Sequence, residues 1–370
     1  MFRHPLFYWG YMNQILFYNT GFVRQVIEQQ PNILDGYLLD KDLFHFYDKH
    51  KMNLNVAYDR TGNVPHYLNI KSGLLQIPKV DSAFNKSFAE CVEDRCKELL
   101  SLGKRINVVW SGGIDSTLVL CALLHYANDP SQIVVYGTYT SVLESGDFLE
   151  KRIIPRGVEV KLKVSSRRDF DDCSSDEIFV TGFFGNQLFG PTDNFSVNST
   201  VKTDISFFHH QFNGDPLEDY TKYVDPELHE FLLPCIKASP KKIETLRDLR
   251  WWLIFNFDWY TAEFATRVNT NQQNNQYHFF NTDDFQRYVL TTKEPFTKEV
   301  GNPLTHRWVM RQLIEEMTGD SNYAWTKPKG VSNLGNPDPT WLLLLEDYSV
   351  FKLPTTSFIN QSRITAQNRP

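Results

Sequence analysis

The stretch Asn107-Val108-Val109-Trp110-Ser111-Gly112-Gly113-Ile114-Asp115-Ser116-Thr117 decides the fold, together with the apolar run Leu118-Val119-Leu120-Cys121-Ala122-Leu123-Leu124 that follows it. Four apolar-to-neutral residues predict a short buried strand, and the run after Thr117 predicts a helix buried on most sides. Between them lies a Ser/Gly turn. Glycines at 112 and 113 allow backbone conformations closed to other residues and let a ligand approach the main chain. The first N–H groups of a helix have no partner inside it, and the helix dipole places positive potential behind them. Strand, glycine turn and helix start in that order form an anion site. Ser111, Ser116 and Thr117 add hydroxyls, and Asp115 adds a carboxylate able to ligate a hard cation.

Working outward, strands and helices alternate. An amphipathic helix is expected over Ser82–Leu102, with Phe84, Phe88, Cys91, Val92 and Leu99 at helical spacing. Strands are expected at 106–110, Gln132–Tyr139, Glu159–Val164 and Glu177–Val180, and helices at 115–126 and Leu143–Lys151. Such alternation predicts an α/β fold with a parallel, doubly wound sheet, whose ligand sits beyond the carboxyl ends of the strands. Ser239-Pro240 is read as the cap of a long helix reaching Val268, and a further helix is expected over Thr305–Met317, stopped near Gly319. The C-terminal half is therefore mainly helical. Residues 1–80 have a different texture: a helix near Gly21–Gln30, then a hairpin of Leu54–Tyr58 and His66–Ile70 around Asp59-Arg60-Thr61-Gly62-Asn63. This divides the chain into a small α+β region (1–80), a main domain (81–335) and a C-terminal extension (336–370) whose tail after Pro354 is polar.

Composition narrows the function classes. The chain has 370 residues, 41% hydrophobic and 22% charged, with 38 basic against 44 acidic side chains for a net charge of −6. That profile is globular, and it argues against nucleic acid as the main partner. Arg167-Arg168 and Lys241-Lys242 are short basic doublets read as solvated surface. Five scattered cysteines (Cys91, Cys96, Cys121, Cys173, Cys235) include no C-x-x-C pair, so neither a zinc site nor a disulfide framework is expected from them. The aromatic N-terminus is broken by Asn13, Gln14 and Asn19 and has no signal-type apolar core; no run approaches membrane-spanning length. A cytoplasmic location without membrane association is the expectation.

The loop is not a Walker loop, which ends Gly-Lys-Ser/Thr. Ser111-Gly112-Gly113-Ile114-Asp115-Ser116 instead resembles the PP-loop of the ATP pyrophosphatases, the superfamily of asparagine, GMP and NAD synthetases and of several tRNA- and base-modifying enzymes. The amphipathic helix before the strand, the run Phe179-Val180-Thr181-Gly182-Phe183-Phe184-Gly185-Asn186-Gln187-Leu188-Phe189-Gly190 and a late Lys327-Pro328-Lys329-Gly330 are similar to the synthetase domain of asparagine synthetase, β-lactam synthetases and lasso-peptide cyclases. Tyr277-His278-Phe279-Phe280-Asn281 sits where those enzymes carry Pro-Phe-Leu-Asp.

The resemblance implies an ATP-dependent, AMP-forming carbon–nitrogen ligase. ATP would activate a small-molecule or peptide carboxylate, and ammonia or an amine would displace AMP. It implies that Ser111, Gly112, Gly113, Asp115, Ser116 and Thr117 hold pyrophosphate, with Mg2+ on Asp115. Tyr136 and Gly137 would offer main chain to adenine, Gly182 would lie under the ribose or α-phosphate, and Lys329 would meet the departing pyrophosphate. Arg311 is a further phosphate candidate. The chain departs from the family where Asn186-Gln187 replace Asp-Glu and Phe183 replaces an acid; Asp193 is close enough in sequence to substitute. No glutaminase cysteine follows Met1, and 80 residues are too few for that domain. Two alternatives stay open: a nucleobase- or tRNA-modifying relative, and a degenerate nucleotide-binding relative with a regulatory or structural role. His209-His210 and the aromatic cluster Trp251, Trp252, Phe255, Phe257, Trp259 and Tyr260 are read as surface turn and helix core respectively.

Overall fold

The computed structural model describes residues 15–18, 31–50, 58–70, 76–81, 83–163, 174–190, 217, 220–260, 262, 275–299, 302–327, 343–345 and 350–351. In chain order the elements used below are β1 (Ile15–Tyr18), α1 (Lys41–Lys49), α2 (Phe88–Ser101), β2 (Arg105–Trp110), α3 (Ile114–Tyr126), β3 (Ile133–Thr138), α4 (Tyr139–Phe148), β4 (Glu159–Lys163) and β5 (Glu177–Thr181). There follow α5 (Gly185–Phe189), α6 (Pro226–Lys237), α7 (Leu246–Leu253), β6 (Gln276–His278), α8 (Asp283–Thr291), α9 (Trp308–Thr318), α10 (Ser321–Thr326), β7 (Leu343–Leu345) and β8 (Val350–Phe351).

Five strands form one all-parallel sheet in the order β4-β3-β2-β5-β6. The chain steps outward from β2 to β3 to β4, then returns to the far side of β2 to lay down β5 and β6. The order reverses between β2 and β5, and there the carboxyl ends of neighbouring strands leave a crevice. The register Val108↔Val180, Val109↔Thr181 places Ser111 and Gly182 at its two lips. Apolar strands alternating with helices dictate this arrangement. Helix α3 is buried at Ile114 and from Ser116 to Leu124, packed by α2 and by α9, which explains why it is apolar on every side past its first turn.

Element boundaries differ from expectation for local reasons. Helix α2 begins at Phe88, not Ser82, because Ser87 and Glu90 form a reciprocal capping box. The long helix expected from Ser239 begins at Leu246: Thr245 and Asp248 make the capping box there, while the Ser239 hydroxyl donates to the Lys241 carbonyl and Lys241 Nζ donates to the Thr292 carbonyl, fixing 239–242 as loop. Beyond Leu253 that helix widens into a π turn over Ile254–Asp258. Helix α4 starts earlier than expected, at Tyr139, on a Thr138–Ser141 capping box. Arg307, in the left-handed region at φ 56°, breaks the helix expected from Thr305, so α9 starts at Trp308 and ends at left-handed Gly319.

The described part of the first 80 residues packs into the same buried cluster as the helical half, through Phe44, Tyr47, Val64 and Tyr67. Asp59 accepts from the N–H groups of Thr61, Asn63 and Val64 and so holds the expected turn, while Asn256 Nδ2 donates to it at 2.6 Å. Arg60 is buried; it donates to the Phe255 carbonyl at 2.9 Å and to Gln286 Oε1, and lies 4.4 Å over the Trp259 ring. Leu68 bridges antiparallel to Leu38, and the first arm of the expected hairpin, 54–57, lies outside the described residues. Strand β1 pairs with β7, and β7 with β8, both antiparallel. Cys91, Cys96, Cys121 and Cys235 are buried free thiols, as expected; burial pushes Cys91 and Cys121 up to about 12. Among the described residues no helix is long and apolar enough to cross a membrane.

Candidate functional site

At the end of β2 the chain turns through Ser111-Gly112-Gly113 into α3. Gly112 has φ 80°, and a Cβ there would meet the Ser141 carbonyl at 2.9 Å, so only glycine makes this turn under α4. Gly113 is the N-cap of α3 and brings no side-chain cap, which leaves the first turn of the helix without the usual Ser/Thr/Asp acceptor. The loop is held from behind. Ser116 Oγ accepts from Ser111 N at 3.1 Å and lies 2.9 Å from Ser111 Oγ. Tyr323 OH and Ser145 Oγ both donate to the Gly112 carbonyl, each at 2.9 Å. Thr117 Oγ1 accepts from Trp110 Nε1 at 2.9 Å and is 2.7 Å from Tyr323 OH. Thr117 is fully buried, so its hydroxyl is a brace of the loop rather than the pyrophosphate contact the resemblance implies.

The opposite lip comes from β5. Gly182 is pressed against the first turn of α3: a Cβ on it would lie 2.7 Å from Ser116 N and 2.9 Å from the Asp115 carbonyl carbon. Gly185 passes equally close to the Asp115 carboxylate. These contacts lock α5 and its Asn186-Gln187 onto the loop. Gln187 Nε2 donates to Asp258 Oδ2 at 2.6 Å. Burial pushes the Asp258 carboxyl up to about 7, with the Gln187 bond pulling the other way.

Arg307 occupies the centre of this arrangement. One guanidinium nitrogen donates to both carboxylate oxygens of Asp115, a second to Asn186 Oδ1, and Nε to His306 Nε2 at 3.2 Å. The Arg307 side chain is 6% exposed and that of Asp115 21%, so the pair is largely withdrawn from water. A magnesium ion does not fit the described residues here. Both oxygens of the Asp115 carboxylate are engaged by a guanidinium, and where the resembled family carries a second acid this chain has the amide Asn186. Asp193 lies outside the described residues.

The chain matches no protein-family model and no curated protein.

Arg311 departs from its expected role. It is buried and spends its donors on main-chain carbonyls: His306 at 3.1 Å, Ala324 at 2.7 Å and Lys327 at 3.1 Å. Burial first, and the neighbouring Arg307 second, bring it down to about 10. It ties α9 to the end of α10 and is a brace rather than a phosphate ligand. Lys327 donates to the Glu144 carbonyl at 2.9 Å and pairs with its carboxylate at 3.2 Å, which fixes the residue after α10 beside α4. Lys329 and His209-His210 lie outside the described residues. Tyr136 and Gly137 sit at the carboxyl end of β3, with Gly137 paired to Leu162. Tyr139, Leu143 and Leu162 are exposed next to them, at 70%, 69% and 55%. The expected core aromatics Trp251, Trp252, Phe255, Phe257, Trp259 and Tyr260 are all buried. A shallow hollow of about 500 Å3, lined by Gly103, Lys104, Arg105 and Glu159, lies at the amino ends of the strands, away from the loop.

Local reasoning missed Arg307, Tyr323, Ser145 and Asp258. Arg307 is 192 positions from Asp115 and Tyr323 is 211 from Gly112, so no spacing rule connects them.

Proposed function

We propose that the chain is an adenylating ligase of the PP-loop type, which binds ATP at the Ser111–Thr117 turn and activates a carboxylate for amide formation. The observation that carries the reading is the uncapped N-terminus of α3 at the switch point of the parallel sheet, with Ser111, Gly113 and Asp115 partly open to solvent. The exposed apolar side chains Tyr139, Leu143 and Leu162 beside Gly137 support a purine contact at the end of β3. In this reaction a carboxylate oxygen attacks the α-phosphorus, and the bond to the β-phosphate breaks, so pyrophosphate leaves with the electron pair. Ammonia or an amine then displaces AMP at the acyl carbon and loses a proton. The chain's own residues would seat the phosphates on first-turn N–H groups and the Ser111 hydroxyl, with the attacking oxygen in line.

The test is incubation with ATP, divalent metal and pools of carboxylates with ammonium or amines, scoring AMP and pyrophosphate against ADP and phosphate. Equal amounts of AMP and pyrophosphate are expected; ADP with phosphate refutes the reading. A second reading, a nucleotide-binding relative without turnover, is favoured by Arg307 on Asp115 and by the amide at 186. ATP that raises the melting temperature while no pool yields AMP selects it.

A further inference from the structure

The end of α1 and the start of α6 meet far apart in sequence at His50, Asp225 and Glu227. His50 is the C-cap residue of α1, Asp225 the N-cap of α6, and Glu227 lies in the first turn of α6. The His50 ring is fully buried, packed 4.5 Å from the Phe46 ring, and neither ring nitrogen has a hydrogen-bond partner. A buried imidazole with both nitrogens unsatisfied costs about 1–3 kcal/mol unless something takes it up. What faces it is acidic. His50 Nε2 is 3.5 Å from Glu227 Oε2, and one donor atom from each of the three residues lies within 4.8 Å of the others. Asp225 Oδ1 accepts from Glu227 N at 2.9 Å, leaving its second oxygen outside that capping bond.

We infer that His50, Asp225 and Glu227 bind one divalent cation of the zinc class, which clasps the end of α1 to the start of α6. One imidazole nitrogen with two carboxylate oxygens is a zinc-type donor set, and water completes the four-coordinate shell. Ligand atoms about 2.0–2.1 Å from a tetrahedral ion stand ~3.4 Å apart, so the His50–Glu227 edge needs little adjustment. A buried imidazole binds such an ion as a neutral ligand, through a ring-nitrogen lone pair. Lys49 now sits on Glu227 as an exposed ion pair. Such pairs contribute little, so the ion displaces the ammonium at small cost. The carboxyl end of α1 favours a cation and the amino end of α6 opposes it; the two carboxylates offset that opposition.

The experiment is calorimetric titration of the full chain, stripped of metal by a chelator, with zinc chloride, alongside thermal unfolding. One equivalent taken up, with a melting temperature raised by zinc and not by magnesium, is expected. Glu227→Gln and Asp225→Asn each weaken uptake by at least about tenfold, the usual scale for loss of a metal-site group. Glu227 is exposed, so its substitution leaves the fold intact, and Asn still caps α6 at 225. No uptake by the wild-type chain overturns the inference. So does uptake that both variants retain unchanged, which would place the ion on histidines elsewhere. ATP turnover is not read, so the outcome is independent of the function proposed above.

Discussion

Replacing Asp115 with Asn removes the carboxylate that, among the described residues, pairs with a guanidinium that is 6% exposed. Two unit charges near 4 Å interact by ~4 kcal/mol at an effective dielectric of about 20, and Arg307 approaches both oxygens more closely than that. Breaking one side of a buried pair typically costs about 3–5 kcal/mol, because the remaining charge stays desolvated. Asn186 Oδ1, His306 Nε2 and the new amide oxygen keep some of the donors satisfied, so the lower end, about 3 kcal/mol, is expected. Urea unfolding followed by tryptophan fluorescence reads this directly, since the chain carries 8 tryptophans. Arg307→Met alone strands the carboxylate instead, and the double variant Asp115→Asn/Arg307→Met removes both charges. Its loss should fall well short of the summed single losses. Asp115→Asn within about 1 kcal/mol of wild type, or strict additivity in the double variant, would refute the buried pair. Any activity measured for Asp115→Asn must therefore be taken at a temperature where the variant remains folded.

Tyr323→Phe removes a donor to the Gly112 carbonyl and one of the two partners of the buried Thr117 hydroxyl. A loss of about 1–3 kcal/mol is expected, read in the same urea assay, and a neutral outcome would show that the loop does not depend on this brace. The raised Asp258 carboxyl makes stability depend on pH. Its folded pKa of about 7 lies above the ordinary 3.8, so the folded chain holds a proton that the unfolded chain has released between those values. Its contribution is full below about pH 4 and is lost as pH rises to about 7, by on the order of 4 kcal/mol at most. Asp258→Asn should flatten that part of the stability–pH curve; an unchanged slope would assign it to other groups.

The frame of the site was legible because each part is local. Period-two and continuous apolar runs mark the strands, and Ser111–Thr117 between strand and helix marks the crevice. Capping boxes were equally local, and Thr245-x-x-Asp248 and Ser87-x-x-Glu90 place the starts of α7 and α2 better than proline or polarity did. The charge partners were not legible. Arg307 reaches Asp115 only because a left-handed residue breaks the chain before α9 and α9 packs along α3. Arg60 runs against residue-type preference altogether, a buried arginine whose carbonyl, amide and aromatic partners come from Phe255, Gln286 and Trp259.

Asn186 and Gln187 look alike in sequence, two amides where the resembled family has two acids, yet their surroundings give them different standing. Gln187 uses its nitrogen: it donates to Asp258, and a glutamate there would have no donor unless protonated. An amide at 187 thus gives the acid at 258 a donor in either protonation state. Asn186 uses its oxygen, accepting from Arg307, and an aspartate would accept the same bond with a full charge. The bond from Arg307 does not by itself distinguish an amide from an acid at 186; what differs is the charge balance. With Asn186, one carboxylate faces one guanidinium and the cluster of Asp115, Asn186 and Arg307 is neutral. With an aspartate it would hold a net negative charge, which repels phosphate unless a second cation is present. On the function proposed above, the amide at 186 and the arginine at 307 would act together, leaving the loop without excess negative charge toward an incoming phosphate.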